Sequence, residues 1–158
     1  MTDAANRLID VALDETSLAP ASPNAEHERR IALFDLKEAN SFIVVGEARG
    51  PYLLRLAMSE GRLAFDVADE AGARVVLHLM PMAGLRKFVK DYVLVCDSYH
   101  AAIRAASPSQ IEAIDMGRRG LHNEAAELMM SALAERFTLD LETARRLFTL
   151  IVALHARG

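Results

Sequence analysis

The stretch SPSQIEAIDMGRRGLHNE, residues 107–124, joins a strand-rich half of the chain to a helical half, and the fold turns on how it is read. Its first four residues specify a helix start. Ser107 can accept an orphan backbone N–H, Pro108 suits a first helical position that needs no N–H, and Gln110 can reach back to close a capping box. The preceding helix must then end at about Ala106. Downstream, Gly117 and Gly120 predict a break, a new helix over about Asn123 to Phe137, and a last one capped by Asp140. If the helix instead runs through the glycines, Glu112, Asp115, Arg119 and His122, at steps of three, four and three, share one polar stripe.

Toward the N-terminus, Leu85, Phe88, Val89, Tyr92, Cys96, Tyr99 and Ile103 recur at steps of three and four, an amphipathic helix suited to lie across a sheet. Arg86, Lys87 and Lys90 form its solvated basic side. The sheet is signalled by Tyr52–Met58, Arg62–Val67 and Arg74–Met80, whose short polar, glycine-containing links predict an antiparallel meander. Leu54, Leu56 and Met58 share one face, matched by Leu63, Phe65 and Val67. Ser41–Val45 is a short strand ended by the Gly46–Pro51 break, and Leu8–Leu13 alternates with Ile9, Val11 and Leu13 on one side. Between these two strands, Pro20 and Pro23 mark an irregular connection. Ser22 or Asn24 then caps a helix to about Ala39 that points Ile31 and Phe34, with Leu33 and Leu36, at the core.

Composition bounds the class. A chain of 158 residues, 52% hydrophobic and 25% charged, is no disordered segment, and one domain over residues 1–158 can bury about 70% of its unfolded surface. The net charge of −4 gives no global attraction to nucleic acid or anionic lipid. Cys96 is alone in an apolar run, which excludes an internal disulfide, fits a reducing cytoplasm and places the thiol in the core. The first residues lack the basic-then-apolar order of a secretory signal, and the apolar run at 147–154 falls far short of the roughly 18 residues of a membrane span. A cytoplasmic protein without a membrane segment is expected.

No catalytic set is complete. His27, His78, His100, His122 and His155 are scattered, so no metal site is expected, and no glycine-rich loop follows a predicted strand to hold a nucleotide cofactor. Ser107 and Ser109 lack the glycine frame of a nucleophile elbow. Gly117-Arg118-Arg119-Gly120 resembles the GxxG loop of KH domains, but only over that tetrapeptide and without a following strand. Glu112, Asp115 and Glu124 also outnumber the two arginines, so nucleic acid is not the expected partner. The same residues suit a small phosphate- or carboxylate-containing ligand better, with Arg118 or Arg119 as forked donor and Asp115 or Glu112 orienting His122 as acid or base. Set against this is an ordinary ion-paired helix surface, each exposed pair contributing under about 1 kcal/mol.

IALFDLKEANSF at 31–42, KDYVLVCDSY at 90–99, the central 107–124 segment and TARRLFTLIVALHARG at 143–158 together resemble the bacterial uncharacterised protein family 0262. The resemblance covers nearly the whole chain. It implies a small single-domain bacterial protein and carries no activity, cofactor or catalytic residue onto these positions.

The expected architecture is α+β: an antiparallel sheet of four or five strands packed by the long central helix, with a helical subdomain over 107–158. The expected role is a cytoplasmic, non-catalytic interaction or regulatory module. The alternative is an enzyme or binder of a small anionic ligand at Glu112, Asp115, Arg118, Arg119 and His122. Leu147, Phe148, Leu150, Ile151, Val152 and Leu154 surround the last helix, so a homodimer is expected unless the domain itself buries that helix. For the helix start, Ser107→Ala should lower stability by about 1 kcal/mol in urea unfolding. An unchanged midpoint would show that Ser107 caps nothing.

Overall fold

The computed structural model describes residues 4–14 and 23–155. Its main sheet is built on β3 (Tyr52–Ser59), β4 (Arg62–Asp69) and β5 (Arg74–Pro81), the expected antiparallel meander. The β3–β4 turn places both Glu60 (φ 51°) and Gly61 (φ 77°) in the left-handed region, the twist a two-residue hairpin requires. Across it Leu54 faces Val67, Leu56 faces Phe65 and Met58 faces Leu63. All of these except the partly exposed Met58 are buried.

The fourth strand, β1 (Leu8–Leu13), pairs with β3 in parallel, giving the order β1-β3-β4-β5 and a mixed sheet rather than an antiparallel one. The cause is α1 (Pro23–Glu38), a crossover that returns the chain to its starting end before β3 begins. A register shift between Leu8 and Asp10 turns Leu8 and Val11 inward and leaves Ile9 exposed, against the simple alternation. Nearby, Gly50 runs so close to the N-terminal segment that a Cβ there would overlap the Ala5 carbonyl oxygen.

The inward stripe of α1 is Glu28, Ala32 and Leu36, continued by Asn40 beyond the helix. The expected core residues Ile31 and Phe34 are 47% and 64% exposed. Asn24 lies within the helix rather than at its cap, while Pro20 and Ser22 fall outside the described residues. β2 (Phe42–Val44) leaves the main sheet and pairs antiparallel with β6 (Phe137–Leu139), so Phe137 is strand where a helix end was expected. Its ring links the two sheets, 5.0 Å from Phe42, 5.7 Å from Phe65 and 5.8 Å from His78.

α2 (Arg86–Ala105) packs chiefly on α3 (Pro108–Leu133). The capping box forms as read: Gln110 N donates to Ser107 Oγ at 3.4 Å, and Ser107 N donates to Gln110 Oε1 at 3.0 Å. The expected break at Gly117 and Gly120 is absent, and α3 runs through both. Asp140 caps α4 (Leu141–His155), its Oδ1 accepting Thr143 N at 2.9 Å. Leu147, Phe148, Leu150, Ile151 and Leu154 are all buried within the domain, where α4 packs against α1, α3 and β3. Five of the six apolar residues surrounding this helix are thus core, and Val152 is partly buried against them. Nothing lies within 4 Å of where a Cβ would sit on Gly117 or Gly120. Gly117→Ala and Gly120→Ala should therefore each raise stability by about 0.5–1 kcal/mol in urea titrations; destabilisation by either would contradict a continuous α3.

Candidate functional site

The continuity of α3 brings its polar stripe together, and three other helices complete a cleft around it. α1 supplies Glu28, Ile31, Ala32 and Asp35, α2 supplies Tyr92, α3 supplies Arg118, Arg119 and His122, and α4 supplies Arg145, Arg146 and Thr149. They enclose a volume of about 280 Å³. A neighbouring cleft of about 260 Å³ shares Glu28 and Tyr92 and adds Cys96, Asp97, His100 and Arg104 among its walls.

Asp115 organises the α3 arginines. Its Oδ1 accepts from Arg118 Nη2 at 2.7 Å and Nε at 3.2 Å, and its Oδ2 lies 2.8 Å from Arg119 Nη2. These bonds, the one to Arg118 foremost, hold its carboxyl below the usual carboxylate range. They also span Gly117, reinforcing the helix where its propensity is weakest. Arg118 lies 4.6 Å above the Tyr99 ring and 3.6 Å from Glu28, which also meets His100 at 3.4 Å. On α4, Arg145 pairs with Glu142 at 3.0 Å, and its Nε is buried without an acceptor. Arg146 donates to the Ala39 carbonyl at 3.2 Å.

His122 is held by the backbone of α4. Its Nε2 lies 2.7 Å from the Arg145 carbonyl oxygen, which can only accept, so Nε2 carries the proton. Thr149 Oγ1 donates to the same carbonyl at 3.3 Å and lies 3.2 Å from Nε2. The ring stands 5.1 Å from Tyr92 and 5.8 Å from Phe148. Burial, aided by the charges of Arg145 and Arg118, outweighs the carbonyl hydrogen bond and lowers its pKa to about 4. Burial likewise pushes the Cys96 thiol up to about 11 and raises the Tyr92 hydroxyl.

Of the five residues proposed from sequence, Arg118, Arg119 and His122 line the cleft and Asp115 braces it from beside. Glu112 is exposed and is not among its walls. Sequence reasoning missed Glu28, Asp35, Tyr92, Arg145 and Arg146. Arg145 and Arg146 lie in the second turn of the last helix, past the reach of its dipole, so no local signal in the sequence singled them out. Among the described residues no group of three or more His, Cys, Asp or Glu side chains is arranged to hold a metal ion.

The depressed His122 pKa carries a pH consequence. The unfolded chain binds its proton near the ordinary 6.5, whereas the folded state resists protonation down to about 4. The unfolded state therefore binds more protons in this window, and stability falls as pH drops through it. His122→Gln, whose amide can still donate to the Arg145 carbonyl, should show a shallower loss of stability between pH 6.5 and 4. Equal slopes in urea titrations would mean that His122 titrates normally.

The uncharacterised protein family UPF0262 matches residues 5–157. A UPF0262 protein of Methylobacterium radiotolerans is 54% identical over 153 residues, covering 97% of this chain and 95% of the relative. Those of Mesorhizobium japonicum and Hyphomonas neptunium are each 52% identical over 96% of this chain and 94% of their own length. No solved structure matches significantly. With one family model spanning nearly every residue and about half of all positions shared with each of these bacterial relatives, the chain belongs to UPF0262.

Proposed function

We propose that the protein is a non-catalytic binding module of the bacterial cytoplasm that takes a small carboxylate- or phosphate-bearing ligand in the cleft between α1, α3 and α4. The observation that carries this reading is the convergence of Arg118, Arg119, Arg145 and Arg146 from two helices on one concave site. Each guanidinium has five donors, and Asp115 and Glu142 occupy only some of them. The remaining donors suit a planar carboxylate or a phosphate. A volume of about 280 Å³ fits a small metabolite or a single anionic group of a larger one.

The titratable groups support binding rather than proton transfer. His122 falls to about 4 with its Nε2–H committed to a carbonyl, while Cys96 rises to about 11. A general acid or base works best with a pKa near the operating pH, and both groups are moved away from neutrality. The cytoplasmic part of the reading draws on the single buried cysteine. In addition, no helix among the described residues is long and apolar enough to cross a membrane.

Exposed Ile31, which lines the same cleft, and exposed Phe34, three residues further along α1, favour a second reading in which the module docks a protein. Loss of a partner by Phe34→Ser with anion binding intact would separate the two.

Titration with inorganic phosphate and with succinate, followed by amide NMR, tests the main reading. Shifts should cluster at residues 118–122 and 145–149, and Arg119→Lys should weaken binding about tenfold because an ammonium lacks the planar fork. Silence at millimolar ligand, or shifts confined to the sheet, would overturn it.

A further inference from the structure

The two edges of the main sheet are built differently. β1 is guarded: its ladder is interrupted between Leu8 and Asp10, and Asp10 stands exposed in mid-strand, 3.1 Å from Lys37 Nζ. β5, the other edge, shifts register only near its start, between its pairings with Val67 and Ala68, and runs regularly from Val76 to Pro81 without an exposed mid-strand charge. Its eight residues carry no formal charge after Arg74, whose guanidinium is committed to Asp66 at 3.0 and 3.2 Å. Leu77 and Leu79 are 45% and 43% exposed on one face, and no strand pairs with the outer side of β5 among the described residues. An uncharged, regularly paired apolar edge such as Val76–Met80 is a template for another strand.

We propose that this strand is the interface between two copies of the chain, which pair β5 to β5 antiparallel and merge their sheets into one. The strand is self-complementary, as an interface with two-fold symmetry must be. With the axis at His78, Leu77 of each copy lies opposite Leu79 of the other, and both leucine pairs fall on the same face. The ends agree in charge. Exposed Glu70, on the β4–β5 turn, and exposed Lys87, at the start of α2, mark opposite ends of the strand, and neither has an ion-pair partner among the described residues. Antiparallel pairing brings each Glu70 beside the basic start of α2 in the other copy. Pro81 has no N–H to offer a ladder, and it sits at the strand end where that omission costs least.

Sedimentation velocity of the full chain at high micromolar concentration should give twice the monomer mass. A chain carrying both Leu77→Lys and Leu79→Lys should return to the monomer with an unchanged circular dichroism spectrum. Glu70→Lys should weaken the dimer, and Lys87→Glu in the same chain should restore it. Hydrogen exchange on the unmodified chain needs no substitution: the Leu77 and Leu79 amides should slow about tenfold between dilute and concentrated samples. A monomer at high concentration overturns the proposal, as does a dimer whose Leu77 and Leu79 amides exchange freely. A monomer in which these amides are already slow would assign the edge to another segment of the same chain, and would also overturn it.

Discussion

The Asn40 side chain is the joint on which the rest of the fold depends. Leu8 N donates to its Oδ1 at 2.7 Å, and its Nδ2 donates to the Leu8 carbonyl at 2.9 Å and to the Leu36 carbonyl at 2.7 Å. One buried amide thus ties the end of α1 to the start of β1, Leu8 and Asn40 being 32 residues apart in sequence. Each such bond contributes about 0.5–1.5 kcal/mol net, but removing the amide would leave three backbone groups unmatched in the core, which costs more than the bonds contribute. Three further hydrogen bonds extend the joint. Arg7 Nη2 donates to the Lys37 carbonyl at 2.8 Å, Ser41 N to the buried Thr143 hydroxyl at 3.0 Å, and Arg146 to the Ala39 carbonyl. Residues 36–41 are consequently the point where β1, α1, β2 and α4 are held together.

That joint fixes the rotation of α1, and the rotation makes the cleft. With Leu36 buried, the residues one and two turns earlier on the same face, Ala32 and Glu28, point toward α3 and α4. The small Ala32 leaves room, and Glu28 meets Arg118 and His100. The cost is that Ile31 and Phe34 turn to solvent, an exchange of apolar burial for a polar wall.

Features set by local chemistry were legible in the sequence. The Ser107–Gln110 box and the Asp140 cap depend on residues three apart, and the meander's alternation survives because each hairpin link is short. Features set by tertiary contact were not. Alternation in Leu8–Leu13 identifies a strand but says nothing of its direction, and a register shift moved Ile9 outward. The inward stripe of α1 escaped because it contains a glutamate and an alanine and ends at an asparagine, which no hydrophobic pattern selects. The helix through Gly117 and Gly120 escaped because the Asp115 fork and packing on α2 and α4 outweigh a propensity cost of about 1 kcal/mol per glycine. For the same reason the α3 half of the cleft could be proposed as a stripe, while its partners on α1 and α4 stayed hidden.

The charge balance of the cleft explains how four arginines can converge on it. Arg118, Arg119, Arg145 and Arg146 face Glu28 and Asp35 across the opening, with Asp115 and Glu142 bracing from outside, so four cations stand against four anions. Four unpaired guanidiniums would repel one another, and the bracing carboxylates remove that penalty. They also fix long side chains whose ordering would otherwise weaken binding by about 0.5–1.5 kcal/mol each. On the proposed reading, a carboxylate or phosphate would meet donors already held in position by these carboxylates. Selectivity on that reading would come from what the walls reject, since Glu28 and Asp35 on α1 disfavour negative charge extending toward that helix. The ligand proposed above would accordingly direct one compact anionic group at α3 and α4 and an uncharged or cationic remainder toward α1.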